Sequence, residues 1–391
     1  MDFRFTPEQE RWRHEIRSFI VAELPPEIRD DELEPGSEEA WQAALNFTRK
    51  LAGRRWLGAA WPKEYGGLGL SIIEQMIYSE EMAYHRAPNV SLFGLGFVGP
   101  TILTYGTPEQ KARHIPAILQ ADVIWAQGFS EPGSGSDLAS LRTRAVEQGD
   151  EWVITGQKIW ATQAHHSQWM LLGARTNPDA PKHKGISLFL VPLDAPGIAI
   201  RPLINLAGTH GFNEVFFEDV RIPRDHLLGE RDRGWYQMAT TLDFERSAIS
   251  GSAGARRILE ELTRYARRTV RDGRPLAEDP LIRSAFAQLF VETEVARMMS
   301  YRVASLQAAG RVPNHEASAG KLFVTELSQR IAQFGLKLLG LAGPVRRGSR
   351  WAPLKGRVAR LALLSTSATI AGGTSEIQRN VIATRGLGLP R

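Results

Sequence analysis

Ile124-Trp125-Ala126-Gln127-Gly128-Phe129-Ser130-Glu131-Pro132-Gly133-Ser134-Gly135-Ser136-Asp137 is the stretch at which the chain changes character. Before it, to about residue 120, apolar residues recur at helical spacing between breakers: Leu24-Pro25-Pro26, Pro35-Gly36-Ser37, Tyr65-Gly66-Gly67-Leu68-Gly69 and Tyr105-Gly106-Thr107-Pro108. Thr6-Pro7-Glu8-Gln9 opens the first helix, with a capping hydroxyl, a proline at the first helical position and a glutamine at the third. After it, to about residue 230, short alternating runs take over: Glu151-Trp152-Val153-Ile154-Thr155, Trp169-Met170-Leu171-Leu172, Ile186-Ser187-Leu188-Phe189-Leu190-Val191 and Val215-Phe216-Phe217. Glycine, proline and asparagine separate them, which is the pattern of antiparallel strands. Past Gly234 helical spacing returns, with Ile258, Leu259, Leu262 and Tyr265 on one face, and runs to about residue 384. Helices, then sheet, then helices predicts an α+β fold. The expected domains are an N-terminal helical domain at 1–122, a middle antiparallel β domain at 123–232 and a C-terminal helical bundle at 233–391.

The 391 residues are ample for a substantial hydrophobic core. Cysteine is absent, which excludes disulfides, thiolate metal sites and a cysteine nucleophile and fits a reducing compartment. Met1-Asp2-Phe3-Arg4 leads directly into a charged helical pattern without the apolar run of an export signal. No stretch of about 18 apolar residues occurs, so a soluble, cytoplasmic protein without a membrane span is expected. The net charge of +5 comes with no dense basic run interleaved with aromatics, which argues against nucleic acid. A mild positive balance does suit polyphosphate ligands.

Three strips carry the chemistry. Gln127 to Asp137 is the first, Lys158-Ile159-Trp160-Ala161-Thr162 the second, and Ala371-Gly372-Gly373-Thr374-Ser375-Glu376-Ile377-Gln378-Arg379-Asn380 the third. Glycines allow close backbone approach, small hydroxyls can bond a polar ring edge, and a tryptophan can wall an aromatic face. Taken singly, the first two strips could equally be a glycine-rich turn and a buried strand tryptophan. In this order and separation the three strips resemble the signatures of acyl-CoA dehydrogenases, and the resemblance runs through to Arg385-Gly386-Leu387-Gly388-Leu389-Pro390. It implies that family's fold and an FAD cofactor. It also implies that Gln127, Gly128, Phe129, Ser130, Gly135 and Ser136 line the flavin and its ribityl chain. Trp160 would pack on the ring, with Ala161 and Thr162 beside it, and Thr374, Ser375 and Glu376 would reach the cofactor from the C-terminal region. Ser136 would also touch the coenzyme A arm of an acyl-CoA substrate.

Most family members carry their catalytic glutamate directly before the Gly-Thr of the third strip, where this chain has Gly372. In the isovaleryl and long-chain branches the base precedes an arginine on an earlier helix, and Glu245-Arg246 in Leu242-Asp243-Phe244-Glu245-Arg246 matches that position. The resemblance thus implies Glu245 as the base that takes the α proton of the thioester, with Asp243, Phe244 and Arg246 on the substrate. Burial raises a carboxylate's proton affinity and makes it a better base for so weak an acid.

A fourth region departs from the family. An arginine and a phenylalanine that usually reach a neighbouring subunit's FAD become Thr269 and Asp272 in Tyr265-Ala266-Arg267-Arg268-Thr269-Val270-Arg271-Asp272-Gly273. A glutamine with the same task becomes Lys337 in Lys337-Leu338-Leu339-Gly340-Leu341-Ala342-Gly343. Each lost charge-assisted bond to a pyrophosphate costs roughly 1.5–3 kcal/mol, although Arg268 or Arg271 stands close enough to substitute. A hetero-oligomer with a related acyl-CoA dehydrogenase subunit is therefore expected, the alternatives being a homotetramer or homodimer. The family further implies an electron-transferring flavoprotein as acceptor. A flavin oxidase, an acyl-carrier-protein dehydrogenase and a non-catalytic assembly subunit are the competing readings.

Other motifs carry less. Gly94-Leu95-Gly96-Phe97-Val98-Gly99 fits a dinucleotide fingerprint formally, but no strand leads into it and Pro100 follows. His165-His166 could suggest a metal, but on a strand the two would point to opposite faces and no third ligand stands at the needed spacing, so surface or loop histidines and no metal are expected. Gly373-Thr374-Ser375 lacks the glycine-x-serine-x-glycine elbow of hydrolases.

Overall fold

The computed structural model describes residues 4–244 and 249–390, and no side chain of residues 240–249. In chain order the first helices are α1 (Pro7–Glu23), α2 (Pro26–Arg29), α3 (Glu38–Gly53), α4 (Ile72–His85), α5 (Gly99–Tyr105) and α6 (Pro108–Leu119). Strands follow: β1 (Trp125–Gly128), β2 (Arg144–Gln148), β3 (Glu151–Lys158), β4 (Trp169–Arg175), β5 (Ile186–Pro192), β6 (Ile198–Ile204), β7 (His210–Pro223) and β8 (Leu227–Leu228). Then come α7 (Gly234–Phe244) and α8 (Ile249–Arg268), a hairpin of β9 (Val270–Arg271) and β10 (Arg274–Pro275), α9 (Pro280–Ala308), α10 (His315–Leu339), α11 (Arg357–Ala368) and α12 (Ser375–Val381). The predicted helix–sheet–helix order is thus the one observed. The first start signal is realised in detail: Gln9 N donates to Thr6 Oγ1 at 3.3 Å while Thr6 N donates to Gln9 Oε1 at 3.0 Å.

The chain forms two compact units. One comprises Leu33–Gly69 and Pro88–Glu245, the other Met1–Glu32, Leu70–Ala87 and Arg246–Arg391. The N-terminal helices are therefore divided, α1 and α4 belonging to one unit and α3, α5 and α6 to the other.

In the unit that holds the sheet, the strand order is β6-β7-β3-β2-β4-β5-β8. Pairing is antiparallel except where β1 runs parallel to β4, with Trp125 opposite Trp169, and where β2 meets β4 at a single parallel pair. Both faces are covered, which explains why β5 is apolar almost without alternation. Phe189 and Val191 turn to a cluster with Trp152, Ile154, Met170 and Phe217. Ile186, Leu188 and Leu190 turn to the opposite cluster with Ile102, Ile115 and Ile118 of α5 and α6.

The other unit is a helical bundle. Leu259 and Leu262 of α8, Phe286 and Leu289 of α9, Leu327 and Ile331 of α10 and Val358 of α11 form its core, as the spacing of Ile258, Leu259, Leu262 and Tyr265 predicts. Buried carboxylates tie α1 and α4 to it. Arg13 meets Glu80 at 2.8 Å and Glu81 at 3.2 Å, Arg17 meets Glu81 at 2.9 Å, and Tyr301 of α9 donates to Glu80 at 3.0 Å. Among the described residues, no helix is long and apolar enough to cross a membrane.

Candidate functional site

The first two strips meet in the sheet unit. β1 ends with Gln127 and Gly128, paired with Leu171 and Leu172 of β4, and the chain then turns at Pro132-Gly133, closed by paired backbone bonds between Glu131 and Ser134, both 3.0 Å. Gly128 is required by close approach: a Cβ there would stand 2.3 Å from Met170 Sδ. Ile159 N donates to Ser130 O at 2.9 Å, so the strip after β3 lies alongside the strip after β1.

Beneath this contact is a buried ion pair that the sequence reading left without a role. Lys158 is fully buried, and its ammonium donates to Glu131 Oε1 at 2.8 Å and to the Phe129 carbonyl at 3.0 Å. Glu131 also accepts from the backbone N–H groups of Arg142 at 2.6 Å and Thr143 at 2.8 Å. Burial alone would raise the Glu131 carboxyl, but the Lys158 ammonium and these donors hold it below the ordinary carboxylate range. Burial pushes Lys158 down to about 8, still charged at neutral pH. The glycine-rich turn is thereby fastened to β3.

Beyond Lys158 the strand ends. Trp160 takes φ +61° and is 58 % exposed, with its ring edge-on to Phe212 at 5.9 Å, so it is not a buried strand tryptophan. Ala161 is fully buried and held from both sides by Asn213: Ala161 N donates to Asn213 O, and Asn213 Nδ2 donates to Ala161 O, each at 3.0 Å. Asn213 is another residue the sequence reading missed; between Phe212 and Glu214 near the start of β7, nothing local marks it. Its amide also donates to His165 Nδ1 at 3.0 Å and accepts from His210 Nε2 at 2.8 Å. Burial lowers His165 to about 4, which keeps Nδ1 an acceptor at neutral pH.

The histidine pair lies in a connection between strands, as the loop reading expects. His165 and His166 sit on a 3₁₀ turn, Ala164–His166, with rings 4.1 Å apart rather than on opposite faces of a strand. A left-handed Gln163 (φ +55°) breaks the extended backbone just before them. His165 stacks on His210 at 3.8 Å and His166 on Trp41 at 4.0 Å. Among the described residues no group of three or more His, Asp or Glu side chains is arranged to hold a metal. Gly94–Val98 forms a π-helical turn leading into α5, not a strand-to-helix phosphate loop.

The third strip lies in the bundle unit. Gly372 and Gly373 take φ +64° and +88°, a left-handed pair that a side chain at either position would strain. Lys321 Nζ donates to Gly373 O at 2.7 Å, and Gln378 Nε2 donates to Gly372 O at 3.0 Å. Thr374 then caps α12, accepting from Ile377 N at 3.2 Å. The Glu376 carboxylate, hydrogen-bonded to its own backbone N–H and to Thr374, is held below its ordinary range. Thr374, Ser375 and Glu376 line a cleft of about 860 Å³ together with Arg330, Gln333 and Lys337 of α10. Nearby, Asp272 and Gly273 form a two-residue turn with both φ values positive, as a hairpin of this length needs. Arg271 turns back to Leu338 O at 3.4 Å, whereas Arg268 is exposed.

The groups present fit a flavin nucleotide. Gly133 and Gly135 leave open space where a Cβ would stand. Among the described residues, the Ser130, Ser136 and Thr162 hydroxyls have no protein partner, and the buried Ser375 hydroxyl has none either. Of the remaining predicted residues, Asp243 and Phe244 lie on α7 with side chains outside the description, and Glu245 and Arg246 lie outside the described residues.

Residues 6–122, 126–220 and 232–387 match, in turn, the N-terminal, middle and C-terminal domains of acyl-CoA dehydrogenases. The acyl-CoA dehydrogenase IpdE1 of Mycobacterium tuberculosis is 39 % identical over 91 % of this chain and 91 % of its own length. The solved structure of the Tcur3481-Tcur3483 steroid ACAD superposes with a TM-score of 0.91 at 34 % identity, covering 100 % of both chains. The ChsE4-ChsE5 complex from M. tuberculosis gives a TM-score of 0.91 at 35 % identity, again covering 100 % of both. The chain belongs to the acyl-CoA dehydrogenase family, whose members are FAD-dependent oxidoreductases.

Proposed function

We propose that this chain is the catalytic member of a two-chain acyl-CoA dehydrogenase and introduces a double bond between the α and β carbons of an acyl-CoA. The observation that carries the reading is the fastening of the Gln127–Ser136 strip to the Lys158–Thr162 strip through Ser130, Ile159, Lys158 and Glu131. The result is an open shelf of glycines and unpartnered hydroxyls with Trp160 at its edge. Gln127, Ser130 and Thr162 would hold the polar edge of the FAD ring and Trp160 its face. Thr374, Ser375 and Glu376 would contribute from their own unit. FAD, when bound, would supply a hydride acceptor for the β carbon, with an electron-transferring flavoprotein as the onward acceptor.

Glu245 takes the proton from the α carbon, so one C–H pair of electrons becomes the new π bond and the other leaves with the hydride. Gly372 supports this assignment, because a glycine supplies no carboxylate at that position and its left-handed φ would strain any side chain placed there. Arg246 positions the acid, with Asp243, Phe244 and Ser136 against the acyl and pantetheine portions. Orienting thioester, base and ring supplies much of the acceleration.

Thr269, Asp272 and Lys337 support a partner subunit that completes the cofactor's anionic end. The likeness to the ChsE4-ChsE5 complex points the same way, and the Tcur3481-Tcur3483 steroid ACAD suggests a ring-bearing acyl group. Replacing Glu245 by glutamine keeps size and removes the base. Turnover of the assembled enzyme should fall by about 10²–10⁴-fold while FAD stays bound. Undiminished turnover in Glu245→Gln would end the assignment, and a fully flavinated, active preparation of this chain alone would end the two-chain proposal.

A further inference from the structure

The bundle unit contains a second cavity, of about 350 Å³, distinct from the cleft of Thr374. Its walls are apolar or small: Gly254, Ala255 and Ile258 of α8, Ile331 of α10, and Leu361 and Leu364 of α11. Arg86, Arg357 and Arg360 also line it. The size is at the lower end of small-molecule sites.

The charge around this cavity does not balance. Glu261 receives Arg86 through two bonds of 2.8 Å, Arg257 at 3.0 Å and Arg357 at 2.7 Å. Asp31 receives Arg357 at 3.0 Å and Arg347 at 3.3 Å. Among the described residues, five guanidiniums, counting Arg360, therefore face two carboxylates. Arg360 is the one left over, since its nearest carboxylate oxygen, on Asp31, is 3.9 Å away. Among the described residues it makes no hydrogen bond. Burial disfavours its charge, Asp31 favours it and the neighbouring guanidiniums oppose it, the balance being a lowered value, yet an arginine does not deprotonate in a protein. A permanently charged fork with no hydrogen bond among the described residues, and only a 3.9 Å approach to a carboxylate that Arg347 and Arg357 also hold, at the wall of an apolar cavity, is complementary to an anion on a hydrophobic body.

We propose that this cavity receives the carboxylate-bearing end of an apolar ligand. The hydrocarbon or ring body lies against α8, α10 and α11, and the carboxylate bonds Arg360. Two sources share that chemistry: a free carboxylic acid, and the distal carboxyl of an acyl-CoA substrate. The second rests on the function proposed above; in sequence, Gly254 follows Glu245 by nine residues on the same stretch of chain.

Gly254 supplies the test. A Cβ at this helical position meets no atom within 4 Å, so Gly254→Phe fills the cavity and at the same time removes a helix-interior glycine. Arg360→Met removes the fork and keeps the stem. Decanoate and 1-decanol are titrated calorimetrically into the full-length chain and both variants, with melting temperatures recorded as a folding control. Decanoate should bind, lose about ten-fold or more of its affinity in Arg360→Met, and fail to bind Gly254→Phe. Decanol binding should be indifferent to Arg360→Met. In the assembled enzyme, the kcat/KM ratio of decanedioyl-CoA to decanoyl-CoA is then compared with and without Arg360→Met. A preference for the dicarboxylic thioester that Arg360→Met erases assigns the site to substrate. Decanoate binding without such a preference assigns it to a free acid. Decanoate binding in a protein that oxidises no thioester would sink the dehydrogenase proposal and leave the cavity reading standing. Thioester oxidation with neither decanoate binding nor a dicarboxylate preference would overturn the cavity reading alone, as would decanoate binding that both variants retain.

Discussion

Lys158→Met is the perturbation that bears most directly on the shelf. Methionine keeps the length and apolar character of the fully buried stem, so little volume changes. What disappears is an ammonium 2.8 Å from Glu131 and 3.0 Å from the Phe129 carbonyl. The Arg142 and Thr143 N–H groups still reach the carboxylate at 2.6 and 2.8 Å, and they do so in both proteins, so they cancel from the difference. Removing one partner of a buried pair costs about 3–5 kcal/mol. The ammonium's own desolvation, seen in its fall to about 8, is relieved by the substitution and pulls the expected loss to the lower end, roughly 3 kcal/mol. For a unit of this size that lowers the melting temperature by about 6–12 °C. Because Ser130 hangs from Ile159 one residue beyond the pair, the variant should also retain less FAD. Adding Glu131→Gln discriminates the cause. The amide carries no charge; Arg142 and Thr143 donate to different carboxylate oxygens, so the amide oxygen keeps one of these bonds and the NH2 forfeits the other, and the double variant should regain part of the stability. Calorimetry and the flavin-to-protein absorbance ratio measure both effects. A single variant that melts within about 2 °C of the parent with full FAD, or a double variant no better than the single, would refute the reasoning.

Asn213→Ala removes the link between Ala161, His165 and His210, and at about 1 kcal/mol per bond should cost roughly 2–3 kcal/mol, read as a lowered melting temperature with a changed near-ultraviolet signal from Trp160. Acid should loosen the bundle unit through Glu81 and Glu261. Burial would raise both carboxyls, but His85 and Arg17 bring Glu81, and Arg86 and Arg357 bring Glu261, down to about 2. A folded value below the ordinary 4.5 means the stabilisation is present above pH 4.5 and is lost as pH falls from there toward 2; circular dichroism across that window should record the loss, and Glu261→Gln should flatten it.

What the sequence disclosed, and what it withheld, follows from the range of the interactions. Thr6 and Gln9 close a capping box within four residues, and β5 advertises burial on both faces in its own composition, so both were legible locally. The three strips were legible because each is contiguous. Lys158 and Glu131 stood within them, yet nothing local says that a lysine after Gly156-Gln157 is fully buried against a carboxylate 27 positions earlier. The partners of His165-His166 were hidden for the same reason: the rings that receive the histidines, Trp41 and His210, are distant in sequence. Arg360 is the extreme case. Its lack of a hydrogen bond is, among the described residues, a property of five arginines and two carboxylates gathered from positions 31 to 360, so no window of the sequence contains it. Local patterns specify which elements form and which backbone can approach a ligand. Charge balance in a cavity is settled only when the elements meet, and a structure can therefore expose a site even where the sequence has already disclosed the family.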